Sequence, residues 1–212
     1  MTNRPARLVV LISGAGSIMA ALAQAAHDAS FGATVAAVVS DTPDAGGLKV
    51  AAEAGIPTAV VALADFPDRL TWDRALARTI GAFDPDLVVC AGFMKLLGEP
   101  MLAAYAGRIV NTHPALLPAF PGARAVEDAL AAGVKVTGCT VMLVDEGVDT
   151  GPILAQSAVE VRDDDSCESL HERIKDVERE LVVSTVGTMM RAGWSVNGRV
   201  TTLGQRGERD EK

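Results

Sequence analysis

A chain of 212 residues can bury one sizeable core, and 49% apolar with 22% charged residues is the composition of a folded soluble protein, which excludes extensive disorder. The formal charge of −8 opposes a polyanionic partner, because nucleic-acid binding needs a basic face that displaces counterions. The apolar run before Ser13 is too short for a signal sequence or a membrane span. Three widely spaced cysteines (Cys90, Cys139, Cys167) with no CxxC pair speak against a disulfide framework and for a reducing cytoplasm.

In chain order, short β-branched runs alternate with helical patterns through the first half: a strand over Arg7–Ile12, a helix over Ser17–Ala29, a strand over Thr34–Ser40, a helix near Leu48–Ala54 and a strand over Thr58–Ala62. A helix over Asp68–Ala82, a strand over Asp86–Cys90, a short helix near Pro100–Tyr105 and a strand over Arg108–Thr112 follow. Alternation of this kind predicts βαβ units and a parallel sheet buried on both faces. After a helix over Ala123–Ala132 come two strand-like runs, KVTGCTVMLV and PILAQSAVEV, separated by a loop rich in Asp and Gly, which predict an antiparallel extension. Asp165 and Glu168 fit a capping box, and the spacing Leu170, Ile174, Val177, Leu181 marks a last long helix. The charged tail from 204 to 212 has no apolar anchor and reads as disordered, leaving one domain over 1–203.

Between the first strand and helix stands SGAGSIMA, with Gly14, Gly16 and Ser17 at the mouth of a helix. Unpaired amides there attract anions, and glycine lets a phosphate come close. The third glycine of a dinucleotide fingerprint would fall at Met19, and no Gly-Lys-Ser/Thr follows, so a nicotinamide cofactor is disfavoured. The glycines could equally serve only a tight turn.

Asn111 and His113 lie at the carboxyl end of a strand, in NTHPALLPAFPG, where an open parallel sheet binds its ligands. Two apart, they share a face, and Pro114 and Pro118 stiffen the segment that leaves them. An amide donor beside an imidazole suits a carbonyl that turns tetrahedral. A carboxylate from DEGVDTGPIL (Asp145, Glu146 or Asp149) would hold the tautomer of His113 and raise its basicity. By itself, His113 also reads as a satisfied loop histidine and Asp-x-Gly-Pro as a turn. Three histidines with no metal-ligand spacing predict no metal site.

Together, VVLISGAGS, DLVVCAGFMKLL, NTHPALLPAFPG, DEGVDTGPILAQ and LHERIKDVERELV, in that order over about residues 7–185, resemble the folate-dependent formyltransferase family, most closely its branch acting on glycinamide ribonucleotide in purine biosynthesis. The resemblance implies a Rossmann-like formyltransferase fold: a mostly parallel sheet flanked by helices, with antiparallel strands in the C-terminal half. It implies a ribonucleotide amine that attacks the formyl carbon of 10-formyltetrahydrofolate directly. Asn111 would donate to the oxyanion, protonated His113 would stabilise it, and Asp149 would keep His113 charged and move a proton through a water. Gly16, Ser17 and the amide of Ile18 would take the substrate phosphate, with Arg69, Lys175 and Glu178 as further ribonucleotide contacts. Phe93, Met94, Lys95, Leu96 and Leu97, with Val144, Asp145, Glu146, Gly147 and Val148, would form the folate cleft. Without the resemblance, Arg69 is a solvated helix charge, Lys175 and Glu178 a helical ion pair, and Phe93, Met94, Leu96 and Leu97 core residues.

Many relatives have Asn where this chain has Ile18, and a second His where it has Arg124. The partners implied are small molecules, with no nucleic acid, no membrane and a homodimer left open. Competing readings are a formyltransferase for another amine, such as an amino-sugar nucleotide, and a non-catalytic folate-binding relative.

Overall fold

The computed structural model describes residues 4–204. The chain divides into two compact units, with the boundary between Asn111 and Thr112.

In the first unit, strands β1 (Ala6–Ile12), β2 (Ala33–Ser40), β3 (Thr58–Val60), β4 (Leu87–Cys90) and β5 (Ile109–His113) pair in parallel in the order β3-β2-β1-β4-β5. Leu8 through Ile12 and Leu87 through Val89 have no exposed surface, so these runs lack polar alternation, as strands covered on both faces must. The crossovers are α1 (Ser17–Ala25), α2 (Gly46–Glu53), α3 (Arg69–Gly81) and α4 (Glu99–Ala104). Helix α3 starts where Asp68 accepts from the amide of Thr71 at 2.7 Å, and it buries Trp72, Leu76 and Ile80 at i, i+4 and i+8.

The second unit begins within β5 and contains α5 (Ala125–Ala131), the antiparallel pair β6 (Val136–Leu143) and β7 (Ile153–Glu160), and α6 (Cys167–Ala192). Val126, Cys139, Val159, Leu170 and Ile174 form its core, with Val177 and Leu181 against them, so the apolar stripe read from the sequence is the face that α6 buries. The parallel sheet of the first half and the antiparallel strands of the second are the fold class expected.

Four details differ from expectation. Helix α1 ends at Ala25, because Asp28 instead accepts from the amide of Ser30 and starts a separate 3-10 turn over Ala29–Phe31. Strand β3 stops at Val60. The cap of α6 falls one residue later than predicted, on Ser166, whose hydroxyl exchanges bonds with Ser169. Asp165 is free of that duty because Arg173 takes its carboxylate, and this guanidinium holds the carboxyl well below its ordinary range. Finally, α6 is followed by a hairpin that the pattern reading overlooked, β8 (Trp194–Asn197) and β9 (Val200–Leu203). Its Asn197-Gly198 pair was a legible turn signal, and Gly198 has the positive φ of 61° that a two-residue loop uses. The charged tail beyond Gly204 lies outside the described residues.

Gly138 in β6 is held to its identity by space. A Cβ there would lie 2.0 Å from the carbonyl oxygen of Ser157 and 2.8 Å from Leu116 Cδ2. Backbone cannot yield as a side-chain tip can, so Gly138→Ala should lower stability by about 3 kcal/mol, the upper end of overpacking. Urea denaturation should show a lower midpoint with an unchanged slope.

Candidate active site

In the first unit, the loop after β1 places Gly16 at the N-cap of α1 with φ 76°, and no side chain caps that helix. A Cβ on Gly16 would lie 2.8 Å from Gly47 Cα, so two backbones touch where α1 and α2 begin. The turn reading of this glycine is therefore correct. It does not exhaust the loop, because Gly14 has φ outside the left-handed region and open space where a Cβ would stand. The amides of the first turn, at Ser17, Ile18 and Met19, point out of a helix end with no acidic residue in it. The Ile18 side chain is buried, leaving only its backbone for a ligand.

The loop after β4 is tied to this one. Ser13 donates its amide to the carbonyl of Gly92 and accepts from the amide of Met94 on its hydroxyl at 2.8 Å. Phe93 stacks on buried Trp72, with ring centroids 6.4 Å apart. Lys95 lies 3.5 Å from Asp41, whose other carboxylate oxygen is buried without a hydrogen-bond partner among the described residues. Leu96 offers its carbonyl to Arg69, which lies over the Trp72 ring at 4.5 Å and pairs with Asp73 at 3.1 Å. Asp73 also accepts from the amide of Gly98 at 3.0 Å. Arg69 is thus neither a solvated charge nor free, since it pins the 93–97 loop. Met94 is 75% and Leu96 64% exposed, so the core reading of these two is wrong. Sequence reasoning gave Asp73 no role, although its i,i+4 spacing from Arg69 was visible.

In the second unit, His113 is 4% exposed at the end of β5. Its Nδ1 lies 3.3 Å from Asp149 Oδ2, and its Nε2 lies 2.7 Å from the carbonyl oxygen of Phe120. The Phe120 carbonyl only accepts, so Nε2 carries a proton there, and Nδ1 faces the Asp149 carboxylate. Asp149 Oδ2 also accepts from the amide of Gly122 at 2.8 Å. Phe120 and Asp149 both have φ of 54°, a left-handed conformation that costs a non-glycine residue about 1–3 kcal/mol. Both residues that grip His113 are therefore strained, as at a functional site.

The Pro-rich segment between His113 and Phe120 is fixed by the β6–β7 pair. Thr140 Oγ1 donates to the carbonyl of Ala115 and accepts from the amide of Leu117, and Gln156 Nε2 donates to the carbonyl of Leu117. A cis bond joins Leu117 to Pro118. Sequence reasoning gave Phe120, Gly122, Thr140 and Gln156 no role, and nothing in their spacing marked them.

Asn111 shares a strand face with His113, two residues before it. Thr112 between them bonds Glu178 of α6. Burial pushes the Glu178 carboxyl up, against the Thr112 bond and the charge of His113, and burial together with Glu178 pushes the Cys139 thiol up to about 12. Lys175 bonds Glu172 at 2.7 Å, so the expected ion pair with Glu178 is replaced by one on the exposed side. The 144–149 loop is closed by Asp145, which accepts from the amide of Gly147 and the hydroxyl of Thr150, and Val148 is 48% exposed on it. Arg124 is exposed beside Glu127 and Asp128. Among the described residues no group of three or more His, Cys, Asp or Glu gathers as metal ligands, and no helix is long and apolar enough to cross a membrane.

An open parallel βαβ sheet with a glycine turn at its first helix, followed by an antiparallel pair that holds the histidine loop, defines an α/β protein of the Rossmann-like class. The sequence pattern of the formyl transferase family matches residues 6–186. A phosphoribosylglycinamide formyltransferase of Mycobacterium tuberculosis is 53% identical over 204 residues, covering 96% of this chain and 94% of its own. A glycinamide ribonucleotide transformylase of Symbiobacterium toebii superposes with a TM-score of 0.91 at 41% identity, over 93% of both chains. A phosphoribosylglycinamide formyltransferase of Brucella melitensis does so with a TM-score of 0.85 at 43% identity, over 89% of this chain and 97% of that one. The chain belongs to the formyl transferase family.

Because Glu178 has a raised carboxyl pKa, the folded state binds its proton more tightly than the unfolded chain does. The associated stability is full below the ordinary value of 4.5 and is lost as pH rises through the folded value. Unfolding free energy measured against pH should therefore fall across that window in the parent protein, and Glu178→Gln should flatten that part of the profile.

Proposed function

We propose that this protein transfers the formyl group of 10-formyltetrahydrofolate to the amine of phosphoribosylglycinamide, giving the N-formyl ribonucleotide and tetrahydrofolate in purine biosynthesis. One observation carries the reading in this chain: the His113 ring is held between the Asp149 carboxylate and the Phe120 carbonyl, by two residues whose backbones are strained to do it. The formyltransferase relatives supply the substrates.

The amine attacks the formyl carbon, and the carbonyl oxygen takes the developing negative charge. Asn111 donates to that oxygen and the His113 imidazolium stabilises it. In this role His113 works as a positive charge beside the oxyanion, and it need not carry a proton away. Asp149 keeps that charge in place and, through a water, passes the proton of the attacking amine to the departing folate nitrogen. No covalent intermediate with the protein is needed. Arranged before the reaction, such donors and charges lose nothing to reorganisation as the transition state forms.

The phosphate is assigned to the amides of Gly16, Ser17 and Ile18, and the ribonucleotide further to Lys175 and Glu178. Arg69 contributes after exchanging its bond to Leu96, or through the loop it pins. The folate is assigned to the 93–97 and 144–148 loops, where exposed Met94, Leu96 and Val148 offer apolar surface to a flat ring and backbone groups would read its edge. The reading takes residues 1–203 as one catalytic domain, working in the cytoplasm without a metal.

Mixing the protein with 10-formyltetrahydrofolate or its dideaza analogue and phosphoribosylglycinamide, and following deformylation by absorbance, tests this reading. Turnover should require the amine. Asn111→Ala should lower kcat about 10²–10³-fold, the effect of losing one oxyanion donor, and His113→Ala at least as much. Turnover without amine would identify a hydrolase instead, and binding without turnover a folate-binding relative.

A further inference from the structure

The β8–β9 hairpin is bonded to the segment that carries Asp149. Arg199, at the hairpin's turn, donates from Nη1 to the carbonyl of Thr150 at 2.9 Å, and Thr201 Oγ1 donates to the carbonyl of Ile153. Thr150 directly follows Asp149, whose positive φ persists only if its surroundings fix it. Part of the fixing is internal. The Thr150 hydroxyl bonds Asp145, and Gly151 runs so close to Leu143 that a Cβ would stand 1.8 Å from its carbonyl oxygen. These contacts hold the two ends of the loop. The Thr150 carbonyl, one peptide beyond Asp149, is held by a guanidinium that reaches across from another element. The hairpin itself is closed onto the end of α6, where Gly204 donates to the carbonyl of Gly193 at 3.0 Å. Its turn is thus carried by the longest helix of the unit and not by the loop it restrains.

We propose that Arg199 is a positioning residue: from the tip of the C-terminal hairpin it clamps the Thr150 carbonyl and so holds the Asp149 carboxylate against His113 Nδ1. It touches neither His113 nor the reacting atoms, and it acts by keeping strained backbone in place. Arginine suits this task, because its several donors lie in one rigid plane and its charge does not titrate away.

The kinetic arm of the test rests on the formyl-transfer reading, whereas the spectroscopic arm does not. The chain has three histidines, so ring N–H resonances can be assigned by substitution. In the parent protein, the His113 Nδ1 proton should give a low-field resonance protected from exchange by Asp149. In Arg199→Ala that resonance should broaden or vanish while the fold persists by circular dichroism, and Arg199→Lys should restore much of it. In turnover, Arg199→Ala should lower kcat about ten- to a hundredfold, the scale of a small misplacement, with little change in KM. Thr201→Val is the control, because it loosens the same hairpin yet leaves the Arg199 contact in place, and it should change both readouts much less. A His113 resonance unchanged in Arg199→Ala would overturn the proposal, as would a Thr201→Val effect equal to that of Arg199→Ala. If the resonance responds but the parent shows no turnover with any formyl acceptor, the formyl-transfer reading fails and the positioning role stands.

Discussion

The interaction on which the second unit depends is the double grip on His113. One buried imidazole ring meets a carboxylate at one nitrogen and a backbone carbonyl at the other, so both of its polar atoms are engaged by acceptors. A buried polar ring is costly unless its nitrogens find partners, so the surrounding structure is arranged around that requirement. Asp149 supplies the countercharge and spends its second interaction on the amide of Gly122, which fixes the carboxylate from the side of the Pro-rich segment. That segment would be an expensive loop to order by itself. Thr140 and Gln156, on paired strands, take up its backbone groups at Ala115 and Leu117, so the β6–β7 pair serves as a mould for the loop more than as a binding surface. The left-handed backbones of Phe120 and Asp149 follow from this. Each turns so that an acceptor faces the ring, and each is over-determined by contacts made elsewhere.

The first unit solves a different electrostatic problem. A protein with eight excess negative charges has no general attraction for an anion, so any phosphate must be taken by local donors. Helix α1 has its first-turn amides with no side-chain cap and no acidic residue to compete, and burial of the Ile18 side chain leaves only its backbone to face a ligand. The neighbouring 93–97 loop shows how apolar side chains can be kept exposed without collapse. Met94 and Leu96 cannot retreat into the core, because Ser13, Asp73 and Arg69 hold the loop's backbone and Trp72 stacks on the Phe93 ring. Asp73 is the anchor: buried itself, it joins the start of α3 to Gly98, where any side chain would collide with its carboxylate.

What was legible in the sequence follows from how local each feature is. The strands of the parallel sheet, the third helix and the apolar stripe of α6 depend on propensity and spacing within one segment, and all three are present, with only end residues such as those of β3 displaced. The His113 motif and the Asp-x-Gly-Pro loop were visible as patterns, but their pairing joins segments some thirty-six positions apart, and periodicity carries no information about such contacts. The cap of α6 shows the same limit at short range. Asp165 and Ser166 are both good caps, and the choice between them was made by Arg173, a full two turns into the helix, which claims the carboxylate and leaves the hydroxyl to start the helix. Backbone acceptors such as the Phe120 carbonyl are harder still to foresee, since any residue type supplies one. Their role is fixed by conformation alone, which is why a strained φ at Phe120 and at Asp149 is a clearer sign of the site than the identity of either neighbour.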